Sequence, residues 1–116
     1  MFKVFAITAL LATAPAVAGE IGYDKNALGF EAMMDGDWSR AEAQLAASET
    51  KLANDPARLL QLAELYRATD REAEADALYR QVLASDDMVL VLGDGRTVSA
   101  HNLAGTRLAT QMQAAR

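Results

Sequence analysis

The sequence contains no cysteine and only one histidine, His101. Without cysteine the chain can form no disulfide bond, and it can carry no lipid on a cysteine at a processing site. A zinc site of cysteine and histidine ligands cannot be assembled, and neither a cysteine nor a serine-aspartate combination accompanies His101 as a nucleophile and its base would require. We therefore predict that the protein is not an enzyme and that it uses neither a metal nor another cofactor.

Loops that bind calcium or phosphate are also missing. The aspartates fall in no loop with the six spaced ligands that a calcium hand requires. Gly93-Asp94-Gly95 is too short for a phosphate loop and indicates a turn. We interpret five aspartates as helix caps and turn residues: Asp35, Asp37, Asp86, Asp87 and Asp94.

Basic residues are too few to form a strongly positive face. The chain has 11 lysines and arginines against 16 aspartates and glutamates, for a formal net charge of −5. Nucleic acid and anionic lipid both attract basic surfaces. The charge therefore disfavours nucleic acid as a partner and disfavours docking on an anionic membrane.

The apolar stretch near the N-terminus is too short to cross a bilayer, which takes about 20 residues. It covers residues 4–14, follows the basic Lys3, and is followed by Ala16-Val17-Ala18. This pattern is typical of a secretory signal peptide with cleavage before Gly19.

The predicted processing removes residues 1–18 and leaves no membrane anchor. We expect a periplasmic protein of the bacterial envelope, with full secretion as the alternative that composition leaves open. A buried first helix would be another explanation of the apolar stretch, but Pro15 and the charged Glu20 argue against it. The mature chain would have a net charge of −6.

The rest of the chain repeats itself at an offset of 34 residues. Residue classes match at this constant distance, which indicates one helix-turn-helix unit used twice. The matched pairs are Leu28 with Leu62, Gly29 with Ala63, Ala32 with Tyr66, Ala41 with Ala75, Ala43 with Ala77, Leu45 with Tyr79, and Ser48 with Val82.

The two units resemble the tetratricopeptide repeat (TPR) family over residues 22–87. The first reads Asn26-Ala27-Leu28-Gly29-Phe30-Glu31-Ala32, Gly36-Asp37-Trp38, Ala41 and Leu45; the second reads Gln61-Leu62-Ala63-Glu64-Leu65-Tyr66, Asp70-Arg71-Glu72, Ala75 and Tyr79. Ala32 departs from the family's usual aromatic, and the late proline is displaced to Pro56. The resemblance implies repeats at about 22–55 and 56–87, and a non-catalytic scaffold that binds a protein or peptide.

Cap and turn residues predict where the helices begin and end. The fold class expected is all-α: two tetratricopeptide-like repeats, a β-hairpin over residues 88–98, and a C-terminal capping helix over residues 99–116. The four repeat helices are predicted from a cap at Asp24 to Met34, from Trp38 to Ala53, from Pro56 to Ala68, and from a cap at Thr69 or Asp70 to about Ser85.

The resemblance also implies where a partner would bind. In the family, one stripe of each first helix lines a concave groove for peptides. The corresponding candidates here are Tyr23, Asn26, Phe30, Met33, Leu60, Glu64 and Arg67. The alternative for Phe30 and Met33 is ordinary core beneath the C-terminal helix.

A second function class is self-assembly. The apolar run from Met88 to Leu92 is a strand whose open edge could pair with a second chain. We favour a monomer whose own helices shelter this strand, with a homodimer as the alternative.

Overall fold

The computed structural model describes Val17, residues 19–20 and residues 22–114, the last of these without its side chain. Nearly all of the predicted signal peptide, including Ala18, lies outside the described residues. Within them the fold is mostly helical with one two-stranded antiparallel sheet, as predicted.

Six helices and two strands make up the described part of the chain. In chain order they are α1 (Phe30–Met34), α2 (Trp38–Ala47), α3 (Glu49–Leu52), α4 (Pro56–Ala68), α5 (Glu72–Ala84), β1 (Val89–Val91), β2 (Thr97–Ser99) and α6 (Ala100–Ala114).

The predicted third helix is confirmed at both ends as α4. The carboxylate of Asp55 accepts a hydrogen bond from the backbone N–H of Ala57 at 2.8 Å, which satisfies one of the free donors at the helix start. Pro56 occupies the first helical position, where its missing N–H removes no helical bond.

The predicted first helix is wrong at its start, because α1 begins at Phe30 rather than near Asp24. Asn26 and Gly29 both have left-handed backbones, with φ of 68° and 65°, and these interrupt a helical run. The carboxylate of Glu20 accepts hydrogen bonds from the N–H groups of Asn26 and Leu28 at 3.0 and 2.8 Å. A distant side chain thus holds residues 22–28 as a series of turns.

The predicted second helix is interrupted at Ser48, which separates α2 from α3. The Leu45 carbonyl accepts from the Ser48 hydroxyl at 3.1 Å and from Nε of the buried Arg58 at 3.0 Å. These bonds compete with the regular helical bond of that carbonyl.

The predicted cap of the fourth helix is also wrong. Helix α5 begins at Glu72, with Arg71 at the cap position and no side-chain cap bond. Thr69 instead donates its hydroxyl hydrogen back to the carbonyl of Leu65 at 2.9 Å, and Asp70 has a left-handed φ of 62°. Both residues therefore end α4 and do not start α5.

The helices pack mainly against their neighbours in sequence. Contacts join α1 to α2, α4 to α5 and α5 to α6, and α2 also packs on α4. One cluster of buried side chains lies among α4, α5, the hairpin and α6 and includes Tyr79 and Ala104. A second lies among α1, α2 and α4 and includes Ala32 and Leu45.

Small residues stand where helices approach closely. A β-carbon added to Gly29 would lie 3.3 Å from the Cα of Ala41. Glycine therefore permits both this close approach and the left-handed backbone at position 29. Ala41, Ala63 and Ala75 are completely buried.

The predicted hairpin is confirmed as β1 and β2, in which Leu90 pairs with Val98. Leu90 points into the core and is 4% exposed, whereas its neighbour Val89 is 68% exposed. Gly95, with φ of 89°, allows the turn between the strands.

Candidate functional site

The structure does not bring the seven predicted contact residues together on one open groove. They lie in three places: Tyr23 and Asn26 at a surface pocket, Phe30 and Met33 near the turn end of the hairpin, and Leu60, Glu64 and Arg67 on α4.

The surface pocket lies between residues 22–27 and the helices α2 and α3, and its volume is about 420 Å³. This lies within the range of about 300–1,000 Å³ that is common for ligand sites. Its lining includes the apolar Ala27, Ala47 and Leu52 and the polar Gln44 and Ser48. We call it the Gln44 pocket.

Tyr23 anchors one side of the Gln44 pocket. Its hydroxyl hydrogen bonds to the Asp55 carboxylate, 3.0 Å from each oxygen. Burial, together with the hydrogen bond and negative charge of Asp55, raises the pKa of Tyr23 well above its ordinary value. The hydroxyl therefore remains protonated and ties residues 22–27 to the start of α4.

Gln44 supplies the most distinctive polar group of the pocket. Its side-chain oxygen Oε1 is buried and has no hydrogen-bond partner among the described residues. A buried acceptor without a donor is unfavourable, because it has lost its bonds to water. A turn of the Gln44 side chain toward the pocket would let an N–H group of a bound molecule satisfy it.

Charges of both signs lie at the pocket. Nζ of Lys51 is 3.7 Å from a carboxylate oxygen of Asp24, and both side chains are about four-fifths exposed. An ion pair so exposed contributes little to stability. Both groups can therefore turn toward a bound molecule at little cost.

Phe30 and Met33 are part of a core cluster. Met33 is 2% exposed, and Phe30 is partly buried against the same cluster, which also contains Val17. A β-carbon added to Gly93 would lie 2.6 Å from the Phe30 ring, so the end of the hairpin covers this ring. The alternative interpretation of these two residues as ordinary core therefore agrees with the structure, except that none of the described members of the cluster belongs to the C-terminal helix α6.

Glu64 is completely buried at the centre of a charged network. Arg107 of α6 contacts both carboxylate oxygens at 3.0 Å, Arg67 contacts one at 3.2 Å, and the Tyr79 hydroxyl donates to the other. Burial alone would raise the pKa of Glu64, but the hydrogen bonds and charges of the two arginines outweigh it and lower that pKa. This network joins α4, α5 and α6 and leaves Glu64 inaccessible to a partner.

Neither Gln44 nor Arg107 was among the residues predicted for the site. Gln44 lies on α2, outside the stripe from which contacts were predicted. Arg107 is 43 positions from Glu64 in the chain. The sequence signal for Arg107 was the glutamate on a mostly apolar helix, because a buried carboxylate requires a basic partner.

No protein-family model, curated protein or solved structure matches the chain. Over the described ranges there is no group of three or more histidine, cysteine, aspartate or glutamate side chains placed to hold a metal. None of the helices described is long and apolar enough to cross a membrane.

Proposed function

We propose that this chain is a non-catalytic protein- or peptide-binding module built from two tetratricopeptide-like repeats. The observation that carries the proposal is the Gln44 pocket, which combines apolar walls with a buried acceptor for which the described part of the chain supplies no donor.

The packing of small residues supports the repeat assignment. Gly29 meets Ala41 at the contact of α1 and α2, and their counterparts 34 positions later, Ala63 and Ala75, are fully buried where α4 packs on α5. In this proposal α6 covers the end of the second repeat, because repeats bury their apolar faces only against neighbours.

The pocket favours a peptide segment with a short apolar side chain. Ala27, Ala47 and Leu52 would surround that side chain, and the Gln44 side chain would turn so that its Oε1 accepts from a backbone N–H of the peptide. Lys51 and Asp24 give the rim one charge of each sign, so either a carboxylate or an amine of the peptide could pair there.

We further propose that the module acts after export, in the bacterial periplasm. The support is the sequence pattern of Lys3, the apolar residues 4–14 and Ala16-Val17-Ala18. Intact-mass measurement on protein exported by a bacterial host should give a chain that begins at Gly19. Recovery of soluble envelope protein that retains Met1 would contradict the export proposal.

The binding proposal can be tested with a random peptide library selected on the exported protein. Ala47 is exposed on α2 and lines the pocket, so Ala47→Trp should fill the pocket without disturbing the core. Ala43 is equally exposed on the same helix and is outside the pocket lining, which makes Ala43→Trp the matched control.

Enriched peptides should bind the parent and Ala43→Trp with similar affinity in calorimetry. Ala47→Trp should weaken them at least about tenfold, equivalent to about 1.4 kcal/mol. Peptides that bind all three proteins equally would reject the Gln44 pocket as the site.

A further inference from the structure

The two edges of β1 are occupied differently. One edge pairs with β2. On the other, the N–H of Gly19 donates to the carbonyl of Val91 at 2.8 Å, and the N–H of Gly93, two residues past the end of β1, donates to the carbonyl of Val17 at 2.9 Å. Two such reciprocal bonds are the pattern of an antiparallel strand pair. We call the Val91 carbonyl and the Gly93 N–H the outer edge of β1.

The side chain of Val17 fills an apolar position next to this edge. It is 5% exposed and belongs to the core cluster of Ala32, Met33 and Leu65, against which Phe30 packs. A segment beside the outer edge therefore contributes both a backbone hydrogen bond and a buried aliphatic side chain. We call the space that this side chain fills the Val17 seat.

Cleavage before Gly19 would separate these two contributions. Gly19 would stay beside Val91, and the carboxylate of Glu20 would still hold the N–H groups of Asn26 and Leu28. Val17 would leave, so the Gly93 N–H would lose its acceptor and the Val17 seat would lose its side chain. Processing would therefore create an unpaired strand donor beside an apolar cavity, a combination that favours strand addition.

We propose that the processed protein binds an extended segment of a partner protein at the outer edge of β1. The segment runs antiparallel to β1, one of its carbonyls accepts from Gly93, and a small aliphatic side chain occupies the Val17 seat. Val17 in the unprocessed chain indicates the size and chemistry that fit. This inference rests on the proposed export, because only cleavage before Gly19 vacates the seat.

The test uses the exported protein labelled with ¹⁵N and a capped five-residue peptide with the sequence of residues 15–19, Pro-Ala-Val-Ala-Gly. Titration should shift the Gly93 amide signal in a saturable manner. A peptide with aspartate in place of valine should produce no saturable shift, because its carboxylate would be buried in an apolar cluster.

A matched protein control keeps the segment attached. Export with a leader whose cleavage leaves Ala16-Val17-Ala18 on the chain should give a protein that already fills its own seat. We expect this protein to be insensitive to the peptide and to unfold at a higher temperature than the processed form.

Three outcomes would overturn the inference: an exported chain that naturally retains Val17, a Gly93 signal that ignores the valine peptide, or equal binding by the control protein. A fourth result would be a Gly93 amide signal that shifts with protein concentration when no peptide is present. That result would mean that a second copy of the chain occupies the outer edge of β1, and it would reject a separate partner. In any of these cases, peptides selected from the library could still bind the parent protein and lose affinity for Ala47→Trp. The proposal that the Gln44 pocket binds peptides would then stand without the inference about β1.

Discussion

Glu64 joins three helices through one carboxylate. Arg107 from α6, Arg67 from α4 itself and Tyr79 from α5 all bond to it, and it has no exposed surface. A buried charge is tolerated only when it is paired and hydrogen-bonded. Removing one member therefore leaves the others uncompensated, and such losses cost about 3–5 kcal/mol for fully buried pairs.

The effect of Glu64→Gln on stability should depend on pH. The pKa of Glu64 is lowered in the folded protein, so its stabilising contribution is fully present above its ordinary value of 4.5 and is lost as pH falls through the lowered value. Urea unfolding at about pH 7 should show that Glu64→Gln lowers the free energy of unfolding by about 2–4 kcal/mol. We expect a smaller loss than for a fully buried pair because the two arginines are partly exposed.

The same comparison at about pH 3 should show a smaller difference between the two proteins. Glu49→Gln is the control, because Glu49 is exposed and the ion pairs of the network are made by Glu64. A difference for Glu64→Gln that stays constant with pH would mean that packing, not charge, accounts for the loss.

Ala41 and Ala75 test the close approach of paired helices. Both are completely buried, and a β-carbon added to Gly29 would lie 3.3 Å from the Cα of Ala41. We expect Ala41→Leu and Ala75→Leu each to lower the free energy of unfolding by about 1–3 kcal/mol through overpacking. Ala43→Leu on the exposed face of α2 should leave the urea midpoint near that of the parent. Unchanged midpoints for both buried variants would contradict the proposed pairing of the helices.

At the level of elements, local signals predicted the start of α4 and the hairpin but not the start of α5, where Thr69 bonds back to Leu65. Asp55 and Pro56 mark the start of α4 because the cap bond lies within three residues. The apolar run and Gly95 likewise marked the hairpin. The start of α1 and the break at Ser48 were missed because the local pattern does not show the side-chain bonds involved. Glu20 bonds to the N–H of Leu28, and Ser48 and Arg58 both bond to the carbonyl of Leu45.

The candidate site was less predictable for the same reason. Tyr23 and Asn26 do line the Gln44 pocket, but Gln44 was not among the predicted contacts. The prediction assumed that one stripe of each first helix stays exposed to a partner. Instead, Arg107 bonds to Glu64 across 43 positions of the chain and covers that part of α4. Periodicity identifies which face of a helix is apolar; it does not identify which neighbour covers it.

Asp87 connects the hairpin to the last helix. Its carboxylate accepts from the N–H groups of Met88 and His101 at 2.8 and 2.9 Å and from the Ser99 hydroxyl at 2.7 Å. The His101 N–H bond is the main cause that lowers the pKa of Asp87 to about 2, followed by the Ser99 bond.

Asp87→Ala should therefore lower the thermal midpoint at neutral pH, and Asp86→Ala, the exposed neighbour with no such bonds, should lower it less. Because the folded pKa is lowered, the contribution of Asp87 is present above its ordinary value of 3.8 and disappears as pH falls toward about 2. Equal midpoints for the two variants would mean that the hairpin and α6 are held without this carboxylate.

At the scale of the whole molecule, the order of packing follows the order of the chain. α5 lies between α4 and α6, and the hairpin contributes Leu90 to the same cluster. The fold is therefore closed at this end by α6, which packs on the second helix of the proposed second repeat. The large apolar side chains exposed within the described ranges include Met34 and Leu83.

We expect the exported protein to be a monomer at micromolar concentration, measured by size-exclusion chromatography with light scattering. On β1, one edge is held by β2, Gly19 covers the Val91 carbonyl on the other, and Leu90 is buried within the chain. The edge that processing frees is short, which limits pairing between two copies of the chain, and a second copy would also have to place a small aliphatic side chain in the Val17 seat. Replacing both Val89 and Val91 with lysine should leave a folded monomer with a lower free energy of unfolding. The loss should come mainly from position 91, because Val91 is partly buried whereas Val89 is already 68% exposed. A parent protein that is dimeric, and that becomes a well-folded monomer on this double substitution, would instead make self-assembly through β1 the better account of its function.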